Sequence, residues 1–99
     1  MKNINVEEFK SEVASDKNAV IIDVRTPEEE VEGMIENSIN INIMDASFPA
    51  QIAQLDKSKN YYVFCRSGGR SVTACQFMEK NGLTVYNLEG GIQAWNAAN

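Results

Sequence analysis

Ala19-Val20-Ile21-Ile22-Asp23-Val24 is an almost unbroken β-branched run, and it restricts the fold more than any other stretch of this chain. A strand of that pattern has no wet face. The arrangement that buries both faces of a strand is a parallel sheet with helices packed on each side. Tyr61-Tyr62-Val63-Phe64 has the same character, and Leu83-Thr84-Val85-Tyr86-Asn87-Leu88 reads as the last strand. Asn37-Ser38-Ile39-Asn40-Ile41-Asn42-Ile43 instead alternates apolar and polar, which predicts a strand with one solvated face at a sheet edge.

Helical signals separate these runs. Val6, Phe9 and Val13 recur at spacings of three and four, with Asn5 placed to cap them. Thr26-Pro27-Glu28-Glu29 combines an N-cap threonine, a first-position proline and a glutamate three residues on, the signature of a capping box. Gly33 keeps that helix short. Glu28, Glu29 and Glu30 are expected to serve as helix-start charges and nothing more. Phe48, Ile52 and Leu55 predict a helix from about Phe48 to Leu55. Ser71 to Lys80 predicts another, closed by Asn81-Gly82, and Ile92 to Ala97 a final one with Trp95 lying on the core. Strands joined through helices imply an α/β fold, a parallel sheet with helices on both faces.

Between the strand at Tyr61 and the helix at Ser71 lies the run that concentrates reactive chemistry: Cys65-Arg66-Ser67-Gly68-Gly69-Arg70-Ser71. Glycines let successive N–H groups turn toward one point, and a following helix adds its own unpaired amides and positive dipole end. A thiol at the centre of such a nest is favoured as thiolate, and Arg66 and Arg70 are expected to help. Cysteines so placed have pKa values of roughly 3.5 to 7.5. The chain has no histidine, so neither a Cys-His dyad nor a histidine metal site is available within it. Activation of Cys65 must therefore be electrostatic. In open parallel sheets ligands bind at the carboxyl ends of strands, where both Cys65 and Asp23-Val24-Arg25 fall.

Ninety-nine residues with 43% hydrophobic content suit a single domain over residues 1–99. A net charge of -5 and a pI near 4.6 argue against nucleic acid or an anionic membrane as partner. With no signal-peptide core and no membrane-spanning run, the chain reads as cytoplasmic. Two cysteines are too few for a disulfide scaffold, and Cys75, on one helical face with Val72 and Met78, is expected in the core.

Three motifs, in this order and spacing, resemble a single-domain rhodanese over nearly the whole chain. They are Asp23-Val24-Arg25-Thr26-Pro27-Glu28-Glu29 with Gly33 and Asn40-Ile41, the Cys65 to Ser71 loop, and Leu88-Glu89-Gly90-Gly91-Ile92-Gln93-Ala94-Trp95. The resemblance implies five parallel strands flanked by helices. It also implies a thiosulfate sulfurtransferase in which Cys65 takes the outer sulfur from thiosulfate or a similar small anionic donor. The sulfur rests as a persulfide and passes to a thiophilic acceptor, cyanide or a thiol, with no cofactor and no metal. Arg66, Ser67, Gly68, Gly69, Arg70 and Ser71 would form the anion-holding loop.

Arg70 is expected as an anion ligand. Arg66 points either to a donor or to water. Asp23 and Arg25 either brace the loop from below or form a solvated pair. The same fold hosts phosphatases and arsenate reductases with a longer C-x5-R loop; here Cys65 and Arg70 enclose four residues, which favours sulfur. A rival of another class is a docking module with an incidental cysteine. The chain departs from the family at Met34, where many members have histidine, and at Asn37, where many have glycine.

Overall fold

The computed structural model describes residues 1–98. Five strands, β1 (Lys2–Ile4), β2 (Ala19–Asp23), β3 (Ile39–Asn40), β4 (Asn60–Phe64) and β5 (Thr84–Leu88), form one sheet in the order β1-β5-β4-β2-β3. Every neighbouring pair is parallel. The helices are α1 (Val6–Ser15), α2 (Phe48–Ala53), α3 (Gly69–Lys80) and α4 (Gly91–Ala98), with a 3-10 helix at Pro27–Glu32.

Side chains that alternate along β2 and β4 enter two separate cores. Ile22, Tyr61 and Val63 pack with Phe48 and Ile52 of α2 and with Ala74, Cys75 and Met78 of α3. Ile21, Tyr62 and Phe64 pack with Phe9 of α1 and Ile92 of α4. Each fully buried residue of this size contributes about 1.5–3 kcal/mol through removal of apolar surface from water. Both faces of the central strands are thus covered, as their unalternating sequence requires. Phe9 meets Tyr62 and Trp95 edge-on, with ring centroids 5.7 and 5.8 Å apart. Asn5 and Glu8 close a capping box at the start of α1.

Several elements differ from the sequence expectation. β1 was not expected; only Ile4 of its three residues is buried, so it carries no periodic signal. β3 is two residues and not seven. Asn37 precedes it in the left-handed region at φ 69, which breaks extended structure. At its far end the Asn40 side-chain amide donates to the Asp23 and Arg25 carbonyls at 3.0 and 2.9 Å; it occupies the Arg25 carbonyl that the next ladder step would use, and the Ile43 N–H turns to the Val24 carbonyl at 3.0 Å. The expected helix at Thr26 is 3-10 in form, and α2 stops at Ala53, two residues short of Leu55. α3 begins at Gly69, two residues earlier than Ser71, so Arg70 lies in its first turn. Among the described residues no helix is long and apolar enough to cross a membrane.

Candidate functional site

β2 and β4 pair in register from Ala19 with Asn60 to Asp23 with Phe64, so both chains leave the sheet at one level. The bond from the Val24 N–H to the Phe64 carbonyl, 3.1 Å, extends that pairing by one step. Cys65 and the Asp23-Val24-Arg25 segment therefore emerge side by side, as the sequence order suggested.

The chain turns immediately after Cys65. Gly68 adopts φ 111, a conformation L side chains rarely accept, and its N–H reaches Cys65 Sγ at 3.1 Å. Ser71, wholly buried, places its hydroxyl 3.1 Å from the Gly68 carbonyl and within reach of the same sulfur. A hydroxyl has one proton, and turning it to the sulfur stabilises the thiolate. Burial alone pushes the Cys65 thiol up, because a charged sulfur is poorly solvated there. Bonds from the Ser71 hydroxyl and from the Ser71, Gly68 and Ser67 amides outweigh it, so the thiol lies below its ordinary value.

The loop is held from behind by α4. Ile92 and Gln93 donate their N–H groups to the Cys65 and Arg66 carbonyls at 2.9 and 3.1 Å. In a trans peptide the carbonyl and the next N–H point in opposite directions. Tying the Arg66 carbonyl to α4 therefore turns the Ser67 N–H away from α4, toward the sulfur it serves. Gly91 makes the approach possible: a Cβ there would lie 2.5 Å from the Cys65 oxygen and 2.6 Å from the Arg66 carbonyl carbon.

The guanidiniums behave differently from expectation. Arg70 is not a free anion ligand at the nest; its two terminal nitrogens bind both oxygens of Glu29 at 2.7 Å. Glu29, expected to be a helix-start charge only, is additionally held by the Thr26 N–H and hydroxyl at 3.3 and 3.1 Å. Arg70 and these contacts hold its carboxyl at about 2. Arg66 Nε lies 3.1 Å from Glu32, both side chains being exposed. The stabilisation of a Cys65 thiolate is thus carried chiefly by amides and a hydroxyl, with Arg70 acting on the sulfur only through its more distant charge.

Asp23 and Arg25 form a pair with no exposed side-chain surface, so the solvated alternative does not hold. Arg25 Nε and Nη2 bind the two Asp23 oxygens at 2.9 and 2.8 Å. Its remaining donors reach the Glu29 and Gly33 carbonyls at 3.1 and 2.9 Å, and its guanidinium lies 5.3 Å from the Phe64 ring centroid. The pair carries the 3-10 helix, which carries Glu29, which holds Arg70. Cys75 is buried in the α3 core, where desolvation pushes its thiol up to about 12. Both cysteines are free. Among the described residues no group of histidine, cysteine or carboxylate side chains is placed to hold a metal.

Two contributors were missed in the sequence. The glycine pair Gly90-Gly91 stands in the third motif, but nothing in its spacing ties it to the Cys65 loop, and nothing in local spacing connects Glu29 with Arg70, 41 residues away.

Comparison with known proteins agrees with this architecture. The family model of the Rhodanese-like domain matches residues 5–98. The Bacillus subtilis protein YtwF is 38% identical over 95 residues, covering 96% of this chain and 90% of YtwF. A protein of Allochromatium vinosum named "Sulfurtransferase" is 31% identical over 96 residues, covering 96% of this chain and 88% of that one. The crystal structure of a rhodanese-related protein from Thermoplasma volcanium superposes with a TM-score of 0.86 at 35% identity, covering 100% of this chain and 94% of that chain.

Proposed function

Because this chain belongs to the rhodanese-like domain family, we propose that it is a sulfurtransferase of one domain, in which Cys65 carries a sulfane sulfur from donor to acceptor. The observation that carries this reading is the Cys65 sulfur accepting the Gly68 N–H at 3.1 Å inside a loop whose other amides also lower its pKa. A sulfur poised as an anion attacks sulfur readily.

With thiosulfate as donor, the Cys65 thiolate forms a bond to the outer sulfur, the donor's S–S bond breaks, and sulfite leaves with the electron pair. The persulfide anion rests among the amides of Ser67, Gly68 and Ser71. A thiophilic acceptor, cyanide or a small or protein thiol, then attacks the outer sulfur, and the thiolate of Cys65 is restored. No cofactor enters either step. Two half-reactions through a covalent enzyme give ping-pong kinetics. Gly69 and Arg66 belong to the loop around the sulfur, and Asp23 and Arg25 position it through the 3-10 helix. A free reactive thiol suits a reducing compartment, and we place the protein in the cytoplasm.

A phosphatase or arsenate reductase reading is weaker. Arg70 gives both terminal nitrogens to Glu29, leaving fewer donors for a tetrahedral oxyanion, and the loop is one residue shorter than C-x5-R. A docking module would not need a thiol whose pKa is lowered. Incubation with thiosulfate should add one sulfur atom to Cys65 by mass spectrometry, and cyanide should remove it. Cys65→Ser should abolish both while the fold persists. Absence of the adduct, or turnover of para-nitrophenyl phosphate in its place, contradicts the reading.

A further inference from the structure

The cations of the Cys65 loop are matched one for one by carboxylates from a single segment. Glu29 takes both terminal nitrogens of Arg70, and Glu32 takes Arg66 Nε. These two acids are three apart on a 3-10 helix, whose three-residue turn puts them on one side. The Arg70 pair is the firmer. Glu29 is only 18% exposed and is bound by Thr26 as well, contacts that oppose its leaving Arg70 for water. With its carboxyl held at about 2, it is charged at every working pH. Glu28 and Glu30, both exposed, flank Glu29 on the same 3-10 helix and leave that segment with an excess of negative charge. An incoming dianion therefore meets a rim whose guanidinium charge is already neutralised.

We infer that Glu29, assisted by Glu32, is a specificity-determining residue that turns this site away from dianionic sulfur donors and toward donors of lower negative charge. The inference rests on the sulfurtransferase reading and deepens it by naming the donor class. Thiosulfate can still load Cys65, but without electrostatic attraction to the loop. A donor with the same sulfane sulfur and one charge fewer is the better substrate, transferring its outer sulfur to the thiolate and leaving as the sulfinate.

Thiosulfate and methanethiosulfonate form a pair that differs by one charge. We expect Glu29→Gln to raise kcat/KM for thiosulfate relative to methanethiosulfonate by about fivefold, the effect of uncovering one positive charge whose field reaches the sulfur in a partly solvated site. Glu32→Gln, on the exposed pair, should move the ratio the same way by about twofold. Salt should scarcely slow thiosulfate turnover by the wild-type protein, and should slow it clearly in Glu29→Gln, where attraction has been created. Unchanged ratios in both variants, or a wild-type thiosulfate rate that falls steeply with salt, overturn the inference while leaving sulfur transfer intact. If neither donor places sulfur on Cys65, the sulfurtransferase reading fails and the inference goes with it. Exposed Glu32 makes the second variant a test that holds even where Glu29→Gln disturbs the fold.

Discussion

Gln93 donates its main-chain N–H to the Arg66 carbonyl at 3.1 Å, at one end of the peptide unit whose other end, the Ser67 N–H, serves the Cys65 sulfur. The nest is therefore not a property of the Cys65 loop alone. Part of its orientation comes from α4, which begins at Gly91, well past the loop.

Gln93→Pro deletes that donor in the first turn of α4, where proline is tolerated because helix-start amides lack internal partners. The Cys65 thiol should titrate higher in this variant, and its loading with sulfur at neutral pH should fall about fivefold with the thiolate fraction. Gln93→Ala keeps the N–H and should change neither. Thiolate absorbance in the ultraviolet, followed against pH with circular dichroism as the fold control, distinguishes these variants.

The Glu29 to Arg70 pair should show in acid stability. Glu29 titrates at about 2 in the folded chain against an ordinary 4.5, so its stabilisation is fully present above the unfolded value and is lost as pH falls toward 2. Urea denaturation between pH 5 and pH 2 should show the wild-type protein losing about 2 kcal/mol more than Glu29→Gln, after allowance for partial exposure of the pair. Equal losses would mean that the pair does not persist in solution.

Arg25→Met should be among the most damaging single changes. It strands the buried Asp23 carboxylate and frees the Glu29 and Gly33 carbonyls that Arg25 now binds. Breaking a buried pair from one side costs about 3–5 kcal/mol. The double variant Asp23→Leu with Arg25→Met should recover part of that loss, measured by chemical denaturation. No recovery would place the cost in the released carbonyls and not in the stranded charge.

The two cysteines should differ sharply in reactivity. Iodoacetamide at neutral pH is expected to label Cys65 and spare Cys75, whose thiol burial pushes up to about 12. Cys75→Ala should cost about 1 kcal/mol in packing and leave sulfur loading intact. Peptide mapping after brief alkylation reads the first outcome, and mass spectrometry with thiosulfate the second. Labelling of Cys75 at a comparable rate would show that the α3 core opens readily.

The central strands, α1, α3 and the thiol loop were legible because each writes its burial in a local period: unalternating β-branched runs for β2 and β4, three-and-four spacing for α1, paired glycines for the turn at Gly68. β1 was not, since three residues with one buried side chain have no period to read. β3 looked longer because alternation over residues 37–43 is real, yet a left-handed Asn37 and the reaching amide of Asn40 cut the ladder at both ends. In the site, the turn that brings the Gly68 N–H to the sulfur had its signal in the glycine at that position. The partner of Arg70 had none, because a contact across 41 residues depends on how Arg25 hangs the 3-10 helix beside α3.

The most direct test of the account is the titration of Cys65 in a Cys75→Ala background, read by thiolate absorbance in the ultraviolet. Cys65 is expected to ionise below 9.0, the ordinary value of a thiol, and to lose that lowered value on unfolding. A folded protein whose Cys65 titrates at or above 9.0 would contradict it, because burial would then have prevailed over the amides and the Ser71 hydroxyl.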